Sequence, residues 1–151
     1  MINQQQQASV VMAPASYSSG GTSVMWFDRK GFDYAEVNVL FGTLATNGGV
    51  PSVFRITESD ATVISNFTTI SGGSATLLAA SLAGSCVKFQ IDLRKRKRYI
   101  NLDVTNGTST LLIGAVANLT RAGQSRDTAA QQSVTNQAAT TNAAVNQLVQ
   151  L

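Results

Sequence analysis

Apolar side chains recur at every second position through much of residues 8–121, and this pattern is typical of β-strands that bury one face. The clearest case is the stretch 33–43, where Val37, Val39 and Phe41 alternate with Asn38 and Leu40. Clusters of Gly, Asn, Asp and Ser interrupt the alternation every 10–15 residues. The predicted strands span residues 9–12, 22–27, 33–43, 53–58, 62–67, 87–93, 99–104 and 111–118.

Short strands separated by turn residues, with no convincing helix, predict an all-β chain with antiparallel pairing. The natural architecture is an antiparallel β-sandwich, either of the jelly-roll or of the immunoglobulin-like type. The pair Asn106-Gly107 is a strong signal for a hairpin turn, and Ser71-Gly72-Gly73 is expected to end a strand. Residues 75–83 fit a strand or a short helix, since Ala and Leu favour helix. The pattern does not fix the order of the strands.

Only 13% of the residues are charged, about half of the average for soluble proteins. The surface must therefore be covered largely by Ser, Thr, Asn, Gln and Gly. Such a surface loses little solvation free energy on contact, which favours burial against other protein molecules. The alternative is a polar surface that has no partner.

The residues that most enzymes need are missing from the sequence. It contains no histidine, and its single cysteine, Cys86, lies among small and apolar residues that predict a buried thiol in a reducing compartment. No phosphate-binding glycine motif occurs, and the acids are few and scattered. The stretch 58–60 (Glu-Ser-Asp) is predicted to be a polar turn rather than a calcium ligand set. We expect a protein that is not an enzyme and that uses no metal or cofactor.

The sequence also predicts neither a membrane span nor a secretion signal. No window approaches 18 consecutive apolar residues, so no membrane span is expected. Residues 1–9 lack the basic start and the apolar run of a signal peptide. We therefore expect synthesis in the cytoplasm.

The most conspicuous local feature is a run of five basic residues: Arg94, Lys95, Arg96, Lys97 and Arg98. It carries nearly half of the eleven basic residues, so the basicity of the chain is local. Like charges in sequence repel one another and cannot be buried unpaired, which predicts a hairpin connection or a sheet edge with exposed charges. In an extended segment the three arginines would point one way and the two lysines the other.

Three roles are open to this basic run. It suits docking to acids of a partner protein, because arginine binds carboxylates bidentately. It also suits a solvated turn that blocks edge-to-edge aggregation. Nucleic-acid binding is the least favoured role, because Tyr99 is the only adjacent residue available for stacking.

Composition divides the chain into a polar lead (1–7), a β-sandwich domain (8–121) and a C-terminal arm rich in Ala, Gln, Thr and Asn (122–151). In the arm, apolar residues follow heptad spacing over barely two heptads. A short coiled coil, an arm that orders on a neighbour and a disordered polar tail are all compatible with it. The candidate arm contacts are Val134, Val145, Leu148, Val149 and Leu151.

Three motifs in order resemble small virion proteins of tailed phages, the head decoration or cement proteins. They are GFDYA at 31–35, ESD at 58–60 and DLRKRKRY at 92–99. The resemblance covers about residues 28–120, and the lead and the arm lie outside it. None of the motifs is catalytic.

The resemblance implies a protein that binds the outside of an expanded capsid at local three-fold positions, often as a homotrimer. Its partners would be the major capsid protein and copies of itself, its location the exterior of the virion, and its role to reinforce the shell against DNA pressure. The run 94–98 and the terminal arms would supply the contacts. A tail, neck or fibre-anchor component is the alternative structural role, and a nucleic-acid-binding module that uses residues 94–98 is the third.

Overall fold

A computed structural model of the chain describes residues 7–44, 50–77, 82–121 and 145–150. This part contains nine strands and a single 3-10 turn at Ile64–Asn66. The strands are β1 (Gln7–Tyr17), β2 (Thr22–Asp28), β3 (Tyr34–Leu44), β4 (Val53–Ser59), β5 (Thr68–Ser74), β6 (Cys86–Asp92), β7 (Tyr99–Thr105), β8 (Leu111–Thr120) and β9 (Val145–Gln150).

The strands form two sheets that pack face to face as a sandwich. The first sheet has the order β1-β8-β3-β6-β9 and the second has the order β2-β7-β4-β5. All neighbours are antiparallel except β6 and β9. Strands β1 to β8 pair in a nested way: first with eighth, second with seventh, third with sixth and fourth with fifth. This nesting distinguishes a jelly roll from an immunoglobulin-like sandwich. The predicted all-β sandwich is confirmed.

The core lies between the sheets and comes from the alternating positions that the sequence predicted. Val37, Val39 and Phe41 of β3 are buried, as is Phe89 of β6. The ring of Phe54 on β4 lies 5.5 Å from that of Phe41 and 5.3 Å from that of Phe89, between ring centroids. Aromatic residues therefore link the two sheets at the centre of the sandwich.

The predicted strand at 62–67 is wrong. Residues 64–66 form the 3-10 turn, and Val63 and Ile64 are 55% and 66% exposed, so their apolar pattern does not mark a core strand. The real strand, β5, begins at Thr68 and includes the glycine pair that was expected to end it. Gly72 has a φ of 77°, which glycine adopts without strain, and the register of β4 and β5 shifts beside it. The glycines thus form a bulge inside the strand.

The predicted hairpin turn at Asn106-Gly107 is also wrong, because β7 and β8 belong to different sheets. Asn106 is 3% exposed, and its side-chain amide donates to the carbonyl oxygens of Tyr17 (2.8 Å), Ser18 (3.1 Å) and Ser109 (2.6 Å). Its side-chain oxygen accepts from the Gly107 amide at 3.0 Å. This one side chain ties the loop after β1 to the loop after β7.

Replacing Asn106 with alanine is expected to lower the free energy of unfolding by about 2–3 kcal/mol, because buried carbonyl groups lose their donor. Urea denaturation of the full chain measures the change. Asn106→Asp keeps the shape and removes the donors, so it should destabilise as well. If both variants are as stable as the parent, the loops do not depend on this side chain.

The structure revises the picture of the two ends of the chain. Residues 7–17 form β1 and pair with β8, so they are part of the first sheet rather than an arm. Val145, Leu148 and Val149 lie on β9, so the coiled-coil interpretation does not apply to residues 145–150. Val134, Leu151 and most of the arm lie outside the described residues, as do residues 78–81 of the ambiguous 75–83 stretch.

Candidate functional site: the charged end of the sandwich

The basic run lies in the connection between β6 and β7, which leads from the first sheet to the second. It is therefore an inter-sheet loop, and the prediction of a hairpin or a sheet edge is wrong. The Arg96 amide donates to the Leu93 carbonyl at 3.1 Å, which makes a turn. Leu93 itself is fully buried and anchors the loop in the core. Because the segment turns, the expected alternation of arginines and lysines along an extended strand does not occur.

The two outer arginines of the run are paired within the chain. Arg94 Nε donates to Asp92 Oδ1 at 2.9 Å, and Arg98 Nη2 lies 2.8 Å from Asp28 Oδ2. Each guanidinium also lies over an aromatic ring, Arg94 over Tyr34 at 5.2 Å and Arg98 over Tyr99 at 5.1 Å. Each of these two charges is thus paired with a carboxylate of the same chain, and the contacts help to order the loop.

The backbone of the loop is held by residues 58–60, for which the sequence predicted a polar turn. Glu58 and Ser59 are in fact the last residues of β4, and only Asp60 lies beyond the strand. Glu58 Oε2 accepts from the Lys97 amide and Asp60 Oδ1 from the Arg98 amide, each at 3.1 Å. Arg29 Nε donates to the Lys97 carbonyl at 2.8 Å, and the Arg29 amide donates to the Arg98 carbonyl at 2.9 Å. The loop is thus fixed from both sides by groups distant in sequence.

The three central side chains of the run, Lys95, Arg96 and Lys97, make no hydrogen bond or ion pair within the described residues. Lys95 is exposed and the other two are partly exposed. The charge of Arg96 also acts on Asp92, whose pKa it helps to lower. A fixed loop therefore presents three cationic side chains whose strong donors are available to a partner.

Strand register places most charges of the chain at this end of the sandwich, which we name the charged end: residues 28–34, 58–60, 92–99 and 120–121. It holds eight basic residues and five acids: Arg29, Lys30, Arg94, Lys95, Arg96, Lys97, Arg98 and Arg121, and Asp28, Asp33, Glu58, Asp60 and Asp92. A shallow depression there is lined by Arg29, Lys30 and Arg98. The charged end is therefore net positive.

The opposite end, which we name the uncharged end, comprises residues 17–22, 50–52, 82–86 and 105–111. None of these residues is Asp, Glu, Lys or Arg. Between the two ends, the second sheet carries the ion pair Arg55–Asp103 (2.8 Å) and the first sheet carries Lys88–Glu36 (3.1 Å). The molecule therefore has a strong charge asymmetry along its strands, which can orient it on a charged partner.

Two carboxyl groups at the charged end have lowered pKa values. The Arg94 hydrogen bond is the main reason that the pKa of Asp92 falls to about 2, and the Arg98 hydrogen bond lowers the pKa of Asp28. Because each folded-state pKa lies below its ordinary value, each contribution to stability is complete above about pH 4. It is lost as the pH falls through the folded-state value.

We expect the thermal midpoint to fall between about pH 4 and pH 2, because Asp28 and Asp92 then become protonated. The double variant Asp28→Asn, Asp92→Asn should be less stable than the parent at pH 6 and should lose part of this pH dependence. Both pairs are partly exposed, so the effect should be small. Parallel pH profiles of parent and variant would contradict the assignment.

The described residues contain no group of three or more His, Cys, Asp or Glu that could hold a metal ion. Cys86 is buried, and burial raises the pKa of its thiol. No helix in the described part of the chain is long and apolar enough to cross a membrane. Comparison of the chain with protein-family models and with curated proteins gave no match.

Trp26 is 48% exposed on the outer face of the second sheet and was not among the residues predicted to form a contact surface. Its ring packs edge-on against Tyr99 at 5.9 Å. Trp26 occupies an exposed position of β2, as Val24 does, whereas Met25 and Phe27 are buried. The sequence gives little signal for this difference, because both sets of alternate positions on β2 contain apolar residues. Val11 and Leu40, 65% and 48% exposed, are the corresponding apolar residues on the outer face of the first sheet.

Proposed function

We propose that this chain is a structural virion protein that binds the outer surface of a phage capsid and stabilises the shell, working as a homotrimeric cement protein. The observation that carries the proposal is the loop with Lys95, Arg96 and Lys97 on a sandwich whose other end is uncharged. Its partners are the major capsid protein and other copies of the same chain. The motifs at 31–35, 58–60 and 92–99 that resemble cement proteins all lie at or next to the charged end.

The fixed conformation of the basic loop supports a docking role. Glu58, Asp60 and Arg29 hold the backbone of residues 97 and 98, so little conformational entropy remains to be lost when the loop meets a partner. The expected partner surface is acidic, since lysine and arginine donors are satisfied by carboxylates. The remaining surface, with few charges, lets further copies and shell subunits approach at little desolvation cost.

The proposal is tested with shells of the parent virus that lack this chain. Purified protein should add to expanded shells at a fixed ratio, and decorated shells should rupture at a higher temperature than bare ones. Serum albumin added at the same concentration is the control for non-specific protection. Equal rupture temperatures with and without bound protein would contradict a cement role.

Copy number separates the cement role from a tail, neck or fibre-anchor role. A cement protein is present in numbers that scale with the shell lattice, whereas the other components occur in few copies per particle. Quantitative gel analysis of purified virions gives this number directly. A count of a few copies per particle would replace the cement role by the alternative.

A nucleic-acid-binding role has less support from the structure. Tyr34 and Tyr99, two aromatic residues beside the basic loop, each have an arginine of the same chain over one face of the ring, which leaves less ring surface for base stacking. Five acids also lie at the charged end. A mobility-shift assay at low salt tests this role, and salt-sensitive DNA binding lost on replacing Lys95, Arg96 and Lys97 would favour it.

A further inference from the structure

Strand β9 differs from the other strands in how it is attached. It pairs in parallel with β6, from Val145 opposite Cys86 to Gln150 opposite Gln90, whereas the other pairs of described strands are antiparallel. Without β9, β6 would be the edge of the first sheet, with a row of free backbone donors and acceptors. Such an edge readily accepts a strand from another chain.

The chain between β8 and β9 is much longer than a local connection needs. Thr120 lies at the same level of the sheet as Asp92, the last residue of β6, whereas Val145 lies beside Cys86, the first. To connect Thr120 to Val145, the chain must run back along the length of β6 and cross the three strand spacings from β8 to β9. The straight distance is about 25 Å, which about eight extended residues can span. Residues 121–144 provide 24.

The surplus of about 16 residues corresponds to a further reach of about 50 Å if extended, comparable with the size of a small domain. The segment is also suited to passing between copies, because Arg126 and Asp127 are its only charged residues after Arg121. Strand β9 itself carries no charge. The chain length thus allows β9 to be placed either on β6 of its own molecule or on β6 of another.

We propose that the edge of β6 is the acceptor for β9 of a second copy of this chain, so that the copies of the oligomer exchange their C-terminal strands. The exchanged strand makes the same backbone hydrogen bonds as it makes in one chain, so exchange costs little and the oligomer gains a link at each step. Each copy both donates and accepts a strand, and such head-to-tail contacts form a closed ring when the rotation from one copy to the next divides a full turn evenly. This inference supplies the self-association that the proposed function uses, but it does not depend on a capsid.

The test uses two full-length variants co-expressed with tags of different size, both with Cys86→Ser. One carries Gln90→Cys and the other carries Gln150→Cys, positions that face each other across β6 and β9. Exchange predicts a disulfide-linked heterodimer after mild oxidation, seen on a non-reducing gel. The matched control replaces Gln90→Cys by Asn118→Cys on β8, which should give no such band.

A single chain that carries both Gln90→Cys and Gln150→Cys distinguishes strand exchange from the alternative, in which β9 stays on its own chain. Exchange predicts covalent oligomers, whereas a strand retained by its own chain closes within a monomer. Deletion of residues 145–151 is an independent test. It is expected to convert the oligomer to a folded monomer, and light scattering measures this change in molecular mass. Closure only within monomers, with no heterodimer above the Asn118→Cys control, would overturn the proposal. Because these experiments use no shells, their failure leaves the capsid-binding proposal standing.

Discussion

Replacing Lys95, Arg96 and Lys97 together with glutamine is expected to weaken binding to expanded capsids by about 30-fold. Each exposed ion pair contributes up to about 0.7 kcal/mol, and three such losses give about 2 kcal/mol. The variant should fold normally, because these side chains make no hydrogen bond or ion pair within the described residues. Equilibrium binding to shells that lack the protein, measured at several salt concentrations, gives the change in affinity.

A matched control places the same change of net charge at the uncharged end. Ser18, Ala83 and Thr110 are exposed there, and replacing them with glutamate also lowers the net charge by three. This control should bind within about threefold of the parent and keep its salt dependence. Equal weakening by both variants would mean that net charge, and not the loop at 94–98, governs binding.

Truncation of the core aromatic Phe89 to alanine is expected to lower the free energy of unfolding by about 3–5 kcal/mol. Phe89 is fully buried on β6, and its ring packs against Phe54 of the other sheet. Its loss therefore removes a contact between the sheets as well as apolar volume. Domains of this size have a total free energy of unfolding of about 5–15 kcal/mol, so the variant would lose a large fraction of its stability.

Denaturant titration monitored by Trp26 fluorescence measures this change in the full chain. Val11→Ala is the control, since Val11 is 65% exposed and its truncation should change stability by less than about 0.5 kcal/mol. If Phe89→Ala costs no more than Val11→Ala, the packing of the two sheets described above is wrong.

The sandwich could be predicted from the sequence because its core strands bury one face and expose the other. On β3 the buried positions are Ala35, Val37, Val39 and Phe41, in the period of two that the sequence shows. The wrong predictions concern residues whose local sequence suits two different structures. Asn106-Gly107 suits a hairpin turn, but here the asparagine satisfies backbone carbonyls of two loops. Gly72-Gly73 ends many strands, but here it forms a bulge inside β5.

The candidate site was only half predictable for a related reason. The basic run is visible in the sequence, and its need for solvent follows from repulsion between like charges. Which of its charges are neutralised within the chain does not follow, because the partners are remote in sequence. Asp28 lies 70 residues from Arg98, and Glu58 lies 39 from Lys97. The jelly-roll connections bring them together, and periodicity carries no information about strand order.

The parallel strand β9 also escaped prediction. Its residues fit heptad spacing as well as a strand, and six residues are too few to separate the two patterns. Pairing with β6 decides the outcome, because an open sheet edge satisfies the backbone groups of a short segment that would not be stable as an isolated helix.

We propose above that this protein binds the outside of a phage capsid through its charged end. Cryo-electron microscopy of virions, compared with particles made by a virus that lacks the gene, is the decisive measurement. We predict difference density on the outer surface, repeated around local three-fold positions, with the loop at 94–98 facing the shell. Difference density confined to the tail, the neck or the interior of the particle would contradict it.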